Sequence, residues 1–186
     1  MLRPHRRGDF AAWREVRLAN QQWLAPWEAT AVVPWEQRHE RQDFRSMLRG
    51  QRGVIRLGQV MPFAVCYRGS FAGQLTVGSI VRGAFHSASI GYWIDGRLAG
   101  RGIMPTALAA ACDFCFFAAG LHRIEVNIRP ENVASRRVVE KLAFRYEGFH
   151  PRFLHIDGDW RDHLGFALTA EDVAPDGLLP RWRNRL

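Results

Sequence analysis

The chain has 186 residues, of which 47% are hydrophobic and 24% charged, and it carries a formal net charge of +8 at pH 7. That length and apolar fraction are enough for a buried interior in one domain, 1–186, and they exclude a disordered chain. The most apolar run, Ala107 to Ala119, is interrupted by Asp113 and is too short to cross a bilayer, which argues against a membrane partner.

Nearly all the positive charge is arginine; the one lysine is Lys141. Such a charge suits polyanions: RNA, a nascent ribosomal protein close to RNA, or the phosphates of a cofactor. Arginine spread over a solvated surface gives the same number without any partner. The basic tail, 170–186, contains Arg181-Trp182-Arg183-Asn184-Arg185 and is the local candidate for RNA contact, a frayed terminus being the other reading. Met1 to Arg7 is basic, but Gly8-Asp9 and Trp13-Arg14-Glu15 follow instead of a signal-peptide core. The expectation is a cytoplasmic chain, monomeric or homodimeric.

Taken in order, Asp9 caps a helix over Phe10 to Asn20, with Phe10, Trp13 and Val16/Arg17 on one face. Trp23 to Val33 reads as loop, and Trp35 to Leu48 as an amphipathic helix ending near Gly50. Phe63 to Tyr67 and Phe71 to Val81 alternate across Arg68-Gly69-Ser70 as a hairpin, and Ala84 to Ile94 is the next strand. Ile103 to Ala119 is hydrophobic nearly all round, so it reads as a buried helix closed by Gly120. His122 to Ile128 alternates as a strand, and Asn132 caps a helix carrying Val138, Val139 and Leu142. A strand after Glu140-Lys141-Leu142-Ala143-Phe144, a turn at Gly158-Asp159 and a final strand complete an α+β order, a mixed sheet flanked by helices.

Cys66, Cys112 and Cys115 form no disulfide framework. Cys112-x-x-Cys115 lies inside the apolar helix, where its spacing puts two small residues on one buried side. Zinc would need two further ligands, and His150, His155 and His163 have no ligand periodicity, so no metal is expected.

The most informative stretch is Arg97-Leu98-Ala99-Gly100-Arg101-Gly102, between a strand-like run and the apolar helix. Its glycines let the backbone turn tightly and approach a ligand, and the first amides of the helix attract phosphate. Arg97 and Arg101 read as mobile positive charge beside them. This is a cradle for a pyrophosphate. Neither the dinucleotide pattern nor the Walker pattern fits, because Pro105 stands where the former needs its last glycine and Gly-Lys-Ser/Thr is absent.

R-x-x-G-x-G resembles the acyl-CoA-binding signature of the GNAT acetyltransferases. Pro130-Glu131-Asn132-Val133-Ala134-Ser135 and Asn20-Gln21-Gln22-Trp23-Leu24-Ala25-Pro26-Trp27-Glu28-Ala29-Thr30 resemble the RimJ/RimL-type branch, the ribosomal-protein-alanine N-acetyltransferases. The resemblance runs from Leu2 to Leu168. It implies the GNAT fold, a mixed and mostly antiparallel sheet of about seven strands flanked by helices, with acetyl-CoA as co-substrate and no metal. It further implies that Trp93, Ile94, Arg97, Ala99, Gly100, Arg101, Gly102, Ile103, Met104 and Asn132 hold that cofactor, the backbone of Trp93 and Ile94 pairing with its pantetheine arm.

The tyrosine that many of these enzymes carry seven residues after the asparagine is Val139 here. Ser135 matches the serine of the RimJ/RimL branch and is the candidate proton donor; a hydroxyl bonding only to the helix start is the alternative. Ala143 and Thr106 replace a usual Gly and Glu. No carboxylate stands on Ser87 to Ile94, and Glu125 and Asp162 read as surface or hairpin residues. Glu28 is left as the candidate for holding or deprotonating the acceptor, with Trp27 beside it. Trp23, Trp35, Trp93 and Trp160 read chiefly as packing. An unperturbed α-amine titrates near ~7.7–8.0 against ~10.4 for lysine, so an N-terminal amine needs no strong base. The expected acceptor is therefore a protein N-terminus, such as that of a ribosomal protein. A polyamine or aminoglycoside acceptor, and a non-catalytic RNA- or ribosome-binding protein of the same fold, stay open.

Overall fold

The computed structural model describes residues 1–185; Leu186, which closes the expected basic tail, lies outside the described residues. The strands are β1 (Leu2–Arg3), β2 (Met61–Tyr67), β3 (Ser70–Val81), β4 (Ser87–Ile94), β5 (Arg123–Ile128), β6 (Arg145–Ile156) and β7 (Asp159–Thr169). They form one sheet in the order β1-β2-β3-β4-β5-β7-β6. Every neighbouring pair is antiparallel except β4 and β5, which run parallel. The expected mixed, mostly antiparallel sheet of seven strands is what forms.

Among the described residues six α-helices flank it: α1 (Phe10–Ala19), α2 (Gln21–Leu24), α3 (Arg41–Arg56), α4 (Ile103–Asp113), α5 (Val133–Lys141) and α6 (Leu178–Arg183). An all-round apolar helix must be covered on every side, and α4 is: Leu108, Ala109 and Cys112 are enclosed against Leu75, Val77, Ile124 and Leu168. Burial pushes the Cys115 thiol up to about 12, so the Cys-x-x-Cys pair behaves as core. On the opposite face, Trp13, Val16 and Phe44 of α1 and α3 pack on Ala64, Cys66 and Phe71.

Four local expectations are corrected. The helix expected over Trp35 to Leu48 is a short turn, Glu36–His39, followed by α3, which runs through Gly50 and Gly53 to Arg56. Glu40 and Asp43 cap its start, and both glycines lie on its exposed side. The helix expected to reach Ala119 ends its regular turns at Asp113 and closes through a wider turn, with Ala119 N–H donating to Phe114 O at 2.9 Å. This extra residue per turn keeps Cys115 and Phe116 inside while Phe114 and Phe117 face solvent. The next strand starts at Ser87 instead of Ala84, because Gly83 and His86 take positive φ and turn the chain.

The frayed-terminus reading of the tail also fails. Leu178 and Trp182 of α6, one helical turn apart, are buried against α4. The Asp113 carboxylate accepts from the N–H groups of Leu178 and Leu179 at 2.6 and 2.9 Å, capping this helix from 65 residues away. Trp182 Nε1 donates to Thr106 Oγ1 at 2.9 Å. Thr106, unexpected at its position in the motif, is the acceptor that lets an indole enter the core.

Candidate active site

β4 and β5 share register only at Ser87–Arg123, Ala88–Ile124 and Ser89–Glu125, and then diverge. From Ile90 onward, β4 has no partner on the β5 side. Parallel strands that part leave unpaired backbone and a wedge of space between them, both of which demand a ligand or water. A cavity of about 890 Å³ occupies this wedge, lined by β4 from Ile90 to Ile94, the Leu98–Gly100 turn, the start of α4, and Asn132 and Ser135 of α5.

The turn at one end is built as its glycines suggest. Gly100 and Gly102 take φ of +79° and +73°, and Gly102 is the residue from which α4 departs. Only glycine adopts such angles without strain. The N–H groups of Ile103 and Met104 open the helix and have no acceptor among the described residues. Pro105, the next residue, has no N–H to satisfy. The result is a set of free donors aimed along the helix axis into the cavity mouth.

Arg97 is not the mobile charge expected of it. The Arg97 guanidinium is bound to Asp95, at 2.6 Å, and to Glu15, at 2.9 Å. Arg101 is exposed and does not line the cavity. The cations that do are Arg129, Arg137 and Lys141. The role of Arg97 is instead to fix the approach to the turn. Burial by itself would raise the Asp95 carboxyl, but the bonds from Arg97 and Asn20 outweigh it and hold the group below its usual range. Asn20 ties the end of α1 to the same turn, donating to Asp95 Oδ1 at 3.1 Å and accepting from Gly96 N–H at 2.8 Å.

Asn132 caps α5, its Oδ1 accepting from Ser135 N–H at 3.0 Å. This leaves the Ser135 hydroxyl free of the helix start. Oγ donates to the Tyr92 hydroxyl at 2.9 Å, and Tyr92 in turn donates to the Ser135 carbonyl at 3.2 Å. Tyr92 is held as a neutral phenol: burial raises it well above its ordinary value, and the bond with Ser135 only partly opposes this. The phenol beside Ser135 therefore comes from β4, 43 residues earlier in the chain. Of the two residues expected to offer backbone to a ligand, Ile94 already accepts at its carbonyl from Trp23 Nε1 at 3.1 Å.

At the other end, Glu28 lines the cavity with Trp27 and Trp23. Glu28 Oε1 is 2.6 Å from Arg17 Nη1. Arg17 is buried, lies over the rings of Trp35 and Trp93, and donates from Nε to His39 Nε2 at 3.0 Å. His39 Nδ1–H donates to Trp35 O at 2.6 Å, which fixes the neutral tautomer. Burial first, then the Arg17 charge, lowers its pKa to about 4. Neither Arg17 nor His39 stood out in the sequence. The available signal was an arginine in the apolar stripe of α1, beside Trp13 and Val16.

The Glu28 loop is stitched to the β6–β7 hairpin. Asp157 N–H donates to Glu28 O at 3.2 Å, Thr30 N–H to His155 O at 3.1 Å, and Gly158 N–H to Thr30 Oγ1 at 2.8 Å. Arg129 braces the loop from β5, donating to Pro26 O at 2.7 Å and lying over the Trp27 ring. Trp35 is buried beneath Arg17, and Trp160 is exposed against His155, so neither lines the cavity. Glu125 pairs with Arg123, and Asp162 accepts from Arg152 N–H where β6 bulges. Among the described residues, no cluster of His, Cys, Asp and Glu has the geometry of a metal site, and no helix is long and apolar enough to cross a membrane.

A sheet split between two parallel strands, with free helix amides at the mouth of the split and a hydroxyl pair at its wall, suits a ligand that carries phosphate. The chain belongs to the GNAT acetyltransferases: residues 1–145 match the Acetyltransferase (GNAT) domain, which makes it an acyltransferase. It is 33% identical over 176 residues to the [ribosomal protein uS5]-alanine N-acetyltransferase of Escherichia coli (strain K12), a match covering 90% of this chain and 87% of that protein. Mycobacterium smegmatis RimJ in complex with CoA-disulfide superimposes with a TM-score of 0.95 at 44% identity, over 99% of this chain and 88% of that one. The ribosomal-protein-S5-alanine acetyltransferase from Vibrio fischeri follows at 0.82 and 27%, over 94% of each chain.

Proposed function

We propose that this chain transfers the acetyl group of acetyl-CoA to the N-terminal α-amine of a protein, and that this protein is a ribosomal one. The observation that carries the reading is the cavity between β4 and β5, with free α4 amides at one end and one carboxylate, Glu28, at the other. The likeness to the uS5-alanine enzyme over nine-tenths of the chain supports the choice of acceptor. Such an acceptor implies a cytoplasmic enzyme.

The amides of Ile103 and Met104 and the turn at Ala99–Gly102 would bind the diphosphate, with Arg137, Lys141 and the exposed Arg101 adding charge that Arg97, held by Asp95 and Glu15, does not. The unpaired edge of β4 at Trp93 would take the pantetheine arm as a further strand. Bound there, acetyl-CoA supplies an activated acyl group on sulfur. Glu28 keeps one oxygen on Arg17 and would offer the other to the incoming ammonium. An α-amine at ~7.7–8.0 is already neutral in roughly a tenth of molecules at pH 7, so no strong base is needed. Ser135 donates a hydrogen bond to the departing sulfur, and its hydroxyl stays partnered through Tyr92 as it turns. A polyamine fits poorly, because Arg129 braces the acceptor end and Glu28 is the sole lining carboxylate among the described residues.

Thiol release from acetyl-CoA should be rapid with a peptide bearing the free N-terminus of a ribosomal protein, and absent when that terminus is blocked but an internal lysine is kept. Turnover of the blocked peptide, or of spermidine, at the same rate would remove the proposed acceptor.

A further inference from the structure

The arginines of α3 have no role in the cavity. They stand at positions 41, 45, 49, 52 and 56. At 100° per residue they fall within an arc of about 80°, running ~22 Å along the helix. Asp43, the one acid of the helix, lies roughly 120° from that arc and is occupied in capping, accepting from Glu40 N–H. Glu40 pairs with Arg14, and Asp9 with Arg3. None of the five arginines, nor Arg7 facing them, has an ion pair among the described residues.

They also enclose a shape. Arg7, Arg41, Arg45, Arg49 and Arg52 wall a concavity of about 310 Å³ whose floor is Phe10, Phe44 and Leu48. The Arg41 guanidinium lies 4.6 Å from the Phe10 ring centroid. Like charges crowded around a concavity repel one another, so the arrangement costs stability unless an anion enters.

We propose that this face of α3 is a docking surface for RNA, held through the phosphate backbone. Guanidinium forks match phosphate oxygens two at a time, and a row of them a turn apart suits a chain of regularly spaced charges. Phe10, half-buried on the floor between the forks, gives an unstacked base an aromatic surface to rest on. A lipid surface fits less well, because Phe44, Met47 and Leu48 of α3 pack into the core, and the exposed Val54, Ile55 and Leu57 lie at the C-terminal end of the helix, outside the lining of the concavity. The choice of RNA over DNA rests on the ribosomal acceptor proposed above; the charge geometry does not. The two cavities share no lining residue, so binding and acetyl transfer are separable.

Fluorescence anisotropy of the full chain with a labelled 20-nucleotide single-stranded RNA, across a salt series, tests this. The triple variant Arg45→Gln/Arg49→Gln/Arg52→Gln should bind at least ~10-fold more weakly. Its slope of log affinity against log salt should be shallower by about 2, since each phosphate contact contributes ~0.7. Acetylation of a short peptide should be unchanged. The Arg→Lys triple, which keeps the charge, should keep the slope. Should the glutamine triple misfold, Arg45→Gln alone must still lower the slope by ~0.7. Unchanged affinity and slope would overturn the surface. Equal binding to polyglutamate or anionic vesicles, or tighter binding to DNA of the same sequence, would overturn RNA as the partner. Loss of peptide acetylation preference with RNA binding intact would sink the acceptor and spare this face.

Discussion

The two ends of the cavity are made by different means. The mouth at Gly100–Met104 is backbone: positive φ at two glycines and the free amides of a helix start, all within five residues. The far end is side chain and long-range: Glu28 held by Arg17, Arg17 by His39, His39 by the Trp35 carbonyl, with the loop tied to a hairpin at His155–Gly158. Backbone donors suit a ligand part shared by every turnover. A chain of side-chain contacts fixes one carboxylate where the proposed acceptor would bind, and it is the more fragile of the two.

The largest effect should come at that fragile end. Arg17→Ala leaves the Glu28 carboxylate and a His39 acceptor without their donor, and should cost about 2–4 kcal/mol in denaturant unfolding, below the full value of a buried pair because Glu28 is partly exposed. It should also raise KM for the peptide far more than for acetyl-CoA; an equal rise in both would erase the contrast between the ends. Acid probes the same network. His39 takes a proton at 6.5 when unfolded and only at about 4 when folded. Its contribution is therefore complete above 6.5 and is lost as pH falls from 6.5 toward 4. Unfolding at pH 7 and pH 5 should show this loss in the parent and a smaller one in His39→Gln, and identical losses would exclude His39 as its source.

At the mouth, Gly102→Val forces a β-branched residue to φ +73° and should weaken acetyl-CoA about thirtyfold by calorimetry, ~2 kcal/mol, with peptide binding untouched. Between the ends, Ser135→Ala should lower kcat about tenfold with little change in KM, ~1.4 kcal/mol. Tyr92→Phe should lower kcat less, and the double variant should match Ser135→Ala alone if the two hydroxyls act as one unit. Full additivity would separate them. Smallest of all, Trp182→Phe removes one hydrogen bond to Thr106 and should cost ~1 kcal/mol in stability with turnover unchanged.

What could be read in advance follows the same division. The cradle turn is a local pattern of glycines between a strand and an apolar helix, so neighbours in sequence are neighbours in space. Asn132 as cap and Ser135 as hydroxyl were legible for the same reason. The charge assigned to Arg97 was not, because its partners, Asp95 and Glu15, compete for it only once α1 packs beside the turn. Tyr92 looked like one more aromatic of a strand until α5 came to rest against it. Arg181 and Arg183 looked like a loose basic tail, although Leu178 and Trp182 lie one helical turn apart; Asp113, the group that caps them, is 65 residues away.

By itself the chain determined its periodicities and its turns: which segments become strand or helix, that α4 must be buried, and where backbone donors stand free. Those properties depend on contacts within a few residues. Packing alone decided which charges are spent and which remain available. Arg17 and Arg97 are consumed by carboxylates from other elements, whereas Arg137, Lys141 and the α3 arginines have no ion pair among the described residues. Ion pairs form between groups close in space, and that closeness exists only after the sheet has closed around its core.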